Sequence, residues 1–152
     1  MTTTETPPHG TAIAIDGRGV LITGAPGAGK TALALALIGR ARAGGYPAGL
    51  VADDRVLLDA DADGVTVRCP PAIAGKVELR GWGVVEAPEI VAGPIRIALL
   101  VRLVPPAEAL RFAMDHTEQL IGRDLPALRL PAGPAPTAPT AVLAALGLPI
   151  WL

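Results

Sequence analysis

Gly24-Ala25-Pro26-Gly27-Ala28-Gly29-Lys30-Thr31 fits G-x-x-x-x-G-K-[ST], the phosphate-binding P-loop. Before it runs Gly19-Val20-Leu21-Ile22-Thr23, a β-branched and aliphatic stretch that reads as a buried strand. After it runs Ala32-Leu33-Ala34-Leu35-Ala36-Leu37-Ile38, a row dominated by strong helix formers. Strand, glycine loop and helix is the order that phosphate binding needs. The loop turns its N–H groups toward a polyphosphate, and the helix adds its positive dipole end. Lys30 is placed to reach the β- and γ-phosphates, and the Thr31 hydroxyl to sit on Mg²⁺. The plain alternative is a glycine turn that binds nothing. Such a turn has no need of Gly, Gly and Lys at these spacings, and the chain contains only two lysines, Lys30 and Lys76.

Bulk properties bound the rest. At 152 residues and 51% hydrophobic composition, the chain suits one domain with one core. The formal charge of −1 suggests no nucleic-acid or membrane surface. With aromatics at 3%, the core must be built from Ala, Val, Leu and Ile. The one cysteine, Cys69, can form no internal disulfide, residues 1–8 carry no apolar signal core, and no apolar run reaches a membrane span, so the expected compartment is the cytoplasm.

The reading along the chain begins with a flexible arm at 1–8, followed by a P-loop domain over 9–152. Thr11-Ala12-Ile13-Ala14-Ile15-Asp16 alternates as a strand, and Gly17-Arg18 turns it into the strand at 19–23. So short a turn makes the two strands antiparallel neighbours, and the sheet is therefore mixed. Antiparallel pairing also brings His9, at the start of one strand, beside the phosphate loop at the end of the other. A solvated terminal histidine is the alternative. The P-loop helix is expected over 30–43, ended by Gly44-Gly45-Tyr46-Pro47. Ala48-Gly49-Leu50-Val51-Ala52 is a strand that delivers Asp53-Asp54 at its carboxyl end, where α/β sheets bind ligands. An acidic pair there can hold Mg²⁺ or take a proton from a hydroxyl, and an Asp-rich turn is the bland alternative.

Further on, 55–59 and 64–69 form a hairpin around an acidic loop at 60–63. Residues 75–85 form a second hairpin with Glu78 and Arg80 on one face, which could equally be a solvated edge. Ile95 to Val104 is the most hydrophobic strand and is expected to be central. Residues 107–116 read as a helical turn and 119–130 as two short edge strands. The proline-rich 130–139 reads as irregular, and 140–146 as a last helix with Thr140 or a neighbour as N-cap.

Several of these pieces together resemble one family. His9-Gly10, Gly19-Val20-Leu21-Ile22-Thr23-Gly24, the P-loop, Leu50-Val51-Ala52-Asp53-Asp54 and Val77-Glu78-Leu79-Arg80-Gly81-Trp82-Gly83-Val84 are similar to the catalytic domain of HPr kinase/phosphorylase. The resemblance covers His9 to about Val104. It implies an α/β fold similar to phosphoenolpyruvate carboxykinase, with a mixed sheet around a P-loop. The implied activity is an ATP- and Mg²⁺-dependent kinase for a serine of an HPr-like phosphocarrier of the phosphotransferase system, able to run phosphorolysis in reverse. By the same resemblance, Gly24, Ala25, Pro26, Gly27, Ala28, Gly29, Lys30 and Thr31 bind nucleotide, and Thr31 and Glu78 bind Mg²⁺. His9, Lys30, the pair Asp53 and Asp54, Arg80 and Arg111 are carried over as catalytic, without a choice between the two aspartates as proton acceptor. Arg111 is the best positional match to an arginine downstream of the central strand.

Three departures stand beside the resemblance. The chain is expected to be a short form starting at the catalytic module. Six residues are inserted around Arg42 to Ala48. The late basic loop is replaced by Pro131-Ala132-Gly133-Pro134-Ala135-Pro136-Thr137, which bears on phosphorolysis, on substrate docking and on the hexamer that the family implies. Two other functions fit the P-loop: a kinase or phosphatase with another substrate, or a nucleotide-sensing module without phosphoryl transfer. Retention of both Asp53 and Glu78 favours an enzyme.

Overall fold

The computed structural model describes Thr3–Glu5 and residues 9–152. Thr3–Glu5 (β1) falls inside the expected flexible arm yet pairs antiparallel with Leu57–Asp61. Threonine suits an extended edge, and the neighbouring strand supplies partners for its backbone. Residues 1, 2 and 6–8 of that arm lie outside the described residues.

Gly10–Ile15 (β2) and Arg18–Thr23 (β3) pair antiparallel, as their short connection requires. The turn is Asp16-Gly17, with φ of 51° and 78°, one residue earlier than the sequence suggests. Both central positions need positive φ, which Asp and Gly tolerate better than Arg. Lys30–Ala43 (α1) follows the glycine loop, and Ala48–Ala52 (β4) pairs with the free side of β2. Leu57–Asp61 (β5) and Gly64–Arg68 (β6) form the first hairpin. Its acidic loop shrinks to Ala62-Asp63, because Ala60 and Asp61 pair with Val65 and Gly64. Lys76–Leu79 (β7) and Gly83–Glu86 (β8) form a separate two-stranded sheet.

Ile95–Val104 (β9) is central, pairing parallel with β3 and antiparallel with β6. Several expectations downstream of it are corrected. Residues 107–116 hold only a short 3₁₀ turn, Pro106–Glu108. Thr117–Leu120 (β10) is short, but Arg123–Pro131 (β11) runs nine residues and pairs parallel with β9 as well as antiparallel with β10. It is no edge strand: Leu125 and Ala127 bury on one face of the sheet and Leu128 on the other. The irregular proline segment is also shorter than expected, since Pro131 ends β11 and Ala138–Ala145 (α2) already contains Pro139. Proline is tolerated there because first-turn N–H groups have no helical partner. Thr137 rather than Thr140 stands at the N-cap, without a side-chain cap.

The sheet order is β1-β5-β6-β9-β3-β2-β4, with β11 and β10 extending from β9. One face packs Ile13, Ile15, Val20, Ile22, Leu99 and Val101 against Leu33 and Leu37 of α1 and Val142 and Leu143 of α2. The other face gathers Ala12, Leu21, Val51, Val67, Leu100 and Leu125. Strands buried on both faces explain the unbroken apolar runs. Two bulges break the alternation. Ala98 is the extra residue between the pairs Gly19–Ile97 and Val20–Leu99, and Val51 is the extra residue between Ile13–Leu50 and Ala12–Ala52. Among the described residues no helix is long and apolar enough to cross a membrane.

Glu118 of β10 ties the β9–β11 end of the sheet together. Its carboxylate accepts from Arg102 Nε (2.8 Å), Arg129 Nε and Nη2 (2.9 and 3.1 Å) and pairs with His116 Nε2 at 2.8 Å. Only 11% of the side chain is exposed. The Arg129 hydrogen bonds above all, then those to His116 and the charge of Arg102, outweigh desolvation and bring its pKa from 4.5 to about 2. A depressed folded-state value stabilises the fold above the unfolded pKa and is lost as pH falls toward 2. Glu118→Gln is therefore expected to cost about 1–2 kcal/mol at pH 7, discounted for the half-open arginines. Urea titrations should show the gap to wild type closing between pH 4.5 and 2; a gap that persists at pH 2 would refute the assignment.

Candidate functional site

The carboxyl ends of β3 and β4 and the start of α1 enclose a cleft of about 520 Å³, with the β7–β8 hairpin along one side. Gly27 and Gly29 turn the loop into the helix with φ of 82° and 103°, a conformation that costs other residues about 1–2 kcal/mol. The Arg80 guanidinium lies over Gly27, 3.3 Å from where a Cβ would stand. Gly29 is the N-cap of α1 and contributes no side-chain cap. The first-turn N–H groups therefore remain available to an anion, reinforced by the helix dipole. Lys30 is 6% exposed, and its Nζ donates to the carbonyls of Gly24 (3.1 Å) and Ala25 (3.2 Å). The same ammonium lies 4.0 Å from Asp54 Oδ1.

The two aspartates are placed for different work. Asp53 is 7% exposed and both its oxygens are engaged. Oδ1 accepts from Thr31 Oγ1 at 2.8 Å and Thr11 Oγ1 at 3.1 Å, and Oδ2 accepts from the Glu78 backbone N–H at 3.3 Å. Asp54 adopts φ of 64°, and its side chain is 56% exposed. Its backbone is held from both sides: its N–H donates to Thr11 Oγ1 at 3.2 Å, and its carbonyl accepts from Gly10 N–H at 3.0 Å. His9 Nδ1 sits 3.3 Å from Asp54 Oδ1, shielded from solvent but without hydrogen-bond alignment to any atom.

The β4 bulge produces this division. Leu50 faces the helices, so simple alternation would send Asp53 to the opposite face. The extra residue at Val51 puts both Val51 and Ala52 on that opposite face and returns Asp53 to the helix side, against Thr31.

Of the residues named from sequence, Lys30, Thr31, Asp53, Asp54, Glu78 and Arg80 line the cleft, and His9 adjoins it through Asp54. Arg111 is not brought into it; its guanidinium packs 5.4 Å from the Phe112 ring, in the loop after β9. Thr11 is the residue sequence reasoning missed. Its signal was a lone hydroxyl in an otherwise apolar strand, and it is fully buried.

Such a cleft can neutralise a polyphosphate and remove a proton from a hydroxyl. Among the described residues no group of three or more His, Cys, Asp or Glu side chains converges as metal ligands. Thr31 and Glu78 are instead a sparse pair of hard oxygen donors at the cleft. That fits Mg²⁺, which keeps its waters and is held by one or two carboxylates together with phosphates.

The family described as HPr Serine kinase C-terminal domain matches residues 1–144. The HPr kinase/phosphorylase of Bordetella petrii is 36% identical over 124 residues, which are 75% of this chain and 38% of that protein. That of Burkholderia lata is 37% identical over 123 residues, 75% of this chain and 36% of the relative. The chain thus spans little more than a third of the length of these curated relatives. Among solved structures, the Hpr(Ser) kinase/phosphatase from Coxiella burnetii superposes with a TM-score of 0.73 at 28% identity, over 94% of this chain and 88% of that one.

Proposed function

The chain belongs to the HPr serine kinase C-terminal domain family, and from that premise we propose that it is an ATP-dependent serine kinase of an HPr-like phosphocarrier protein. The observation that carries the proposal is the split between the aspartates, one locked onto Thr31 and the other open to the cleft. The serine oxygen attacks the γ-phosphorus, the bond to the ADP oxygen breaks, and Asp54 Oδ1 takes the serine proton. Asp54 suits the role of base because its carboxylate is half-exposed to the cleft, whereas Asp53 already serves three donors. His9 Nδ1 and Lys30 Nζ flank Asp54 Oδ1 at 3.3 and 4.0 Å. Lys30 exchanges the Gly24 and Ala25 carbonyls for phosphate oxygens. The Thr31 proton is engaged by Asp53, which leaves the hydroxyl oxygen free to act as a ligand. When bound, Mg²⁺ supplies neutralisation of phosphate charge, and Thr31 and Glu78 would hold it. Arg80, lying over Gly27, adds positive charge at the loop. Catalysis of this kind is positioning and electrostatics, with little covalent work for the protein.

The test is to mix the protein with Mg-ATP and the HPr-like carrier of the same cell and read carrier mass. One added phosphoryl group on serine is expected. Tight ATP binding without any phosphoserine would replace the kinase with the nucleotide-sensing reading. Reverse phosphorolysis needs a site for inorganic phosphate, and residues 131–137 contain no Lys or Arg. Pyrophosphate release from phosphorylated carrier and phosphate is therefore expected to run at least about tenfold slower than the forward reaction, since a charged phosphate contact is missing. Comparable forward and reverse rates would contradict this. A homo-oligomer is part of the same proposal, to be read by light scattering.

A further inference from the structure

A second cleft, of about 580 Å³, opens on the other side of the glycine loop. One wall is α1, through Leu33 and Ala36, and the other is the proline segment after β11, with Leu103 between them. The two clefts share Gly27, Gly29 and Ala32, so they meet across the loop and the first turn of α1. The sheet order gives them opposite surroundings. β4, with the aspartates, lies to one side of β3, and β9 and β11 lie to the other. A chain of phosphates wound round the helix N-terminus therefore has its reacting end near Asp54 and its other end at this second cleft.

Resting on the phosphate reading of the first cleft, we infer that the second holds the nucleoside of the same nucleotide and grips the base by its faces rather than its edges. Its volume lies within the range of small-ligand pockets, about 300–1,000 Å³. Of the side chains lining it, Arg40 alone is charged, and the rest are small or apolar. The proline wall has few donors to offer. Pro131, Pro134, Pro136 and Pro139 have no N–H. The N–H groups of Ala132 and Gly133 are already donated to Val104 O at 2.7 Å and Ala28 O at 2.9 Å. The second of these bonds also fastens the segment to the glycine loop. Strong rejection of a wrong base needs hydrogen-bonding groups aimed at its edge. Flat apolar walls accept adenine and guanine alike.

Isothermal titration of the full chain with Mg-ATP, Mg-GTP and Mg-pyrophosphate tests this. ATP should bind at least about tenfold more tightly than pyrophosphate, with GTP within about fivefold of ATP, because apolar contact rather than edge recognition supplies the difference. Ala36 lines the second cleft only. Ala36→Trp, and Ala135→Phe from the opposite wall, should each weaken ATP at least about tenfold and leave pyrophosphate unchanged, by filling space the base needs. If one variant fails to fold, as judged by circular dichroism, the other decides. A folded variant that keeps its ATP affinity overturns the inference. So does equal loss of ATP and pyrophosphate, or ATP bound no more tightly than pyrophosphate by the wild type. GTP bound far more weakly than ATP removes recognition by faces. Wild-type protein that binds neither ligand overturns the phosphate reading itself, a result distinct from loss of ATP alone.

Discussion

Asp54→Asn is expected to slow phosphoryl transfer about 1,000-fold, the middle of the range for loss of a general base, while nucleotide affinity changes by no more than about threefold. The substitution keeps the shape of the side chain and the backbone contacts to Thr11 and Gly10, which do not involve the carboxylate. What it removes is the proton acceptor beside His9 Nδ1 and Lys30 Nζ. Asp53→Asn should behave differently. An amide at that position puts an NH₂ group against two hydroxyls or a backbone N–H, so the Thr31 hydroxyl loses its acceptor or must turn. The damage then appears in Mg-nucleotide affinity as well as in rate. Single-turnover phosphorylation of the carrier, with nucleotide binding measured separately, distinguishes the two. A fully active Asp54→Asn beside an inactive Asp53→Asn with normal nucleotide affinity would reverse the roles assigned here.

Lys30→Met should slow transfer about 100- to 1,000-fold and weaken Mg-ATP binding. Methionine keeps much of the stem that packs in this nearly buried position, so the fold should survive. The ammonium is lost from a site where preorganised charge is expected to be worth about 100- to 1,000-fold in rate. The carbonyls of Gly24 and Ala25 also lose their donor, which loosens the loop before any ligand arrives. ATP affinity is measured by titration and folding by thermal melting. A folded variant that retains wild-type transfer would remove Lys30 from the mechanism.

Much of this was legible in the sequence, for local reasons. A glycine loop between a β-branched run and an Ala/Leu row dictates strand, turn and helix with no help from the rest of the chain. The short connection between the strands that became β2 and β3 forces antiparallel pairing, and from pairing alone His9 reaches the neighbourhood of the phosphate loop. Downstream of β9 the local signals misled. Residues 119–130 read as two short edge strands, but parallel pairing of β11 with β9 buries that strand on both faces. Arg111, matched by position, stacks on Phe112 instead of entering the cleft.

The sequence by itself determined where the glycine loop turns from strand into helix, because loop conformation and helix start depend on neighbours a few positions away. It also determined that the sheet is mixed and its core aliphatic. Only the tertiary structure decided which aspartate meets Thr31 and which stays open to the cleft, and that the proline segment walls a second cleft. The first turns on one extra residue at Val51, set by register against β2. The second turns on a hydrogen bond between Gly133 and Ala28, over a hundred positions apart. Register and closure of that kind depend on contacts between segments distant in sequence, and period-two alternation carries no record of them.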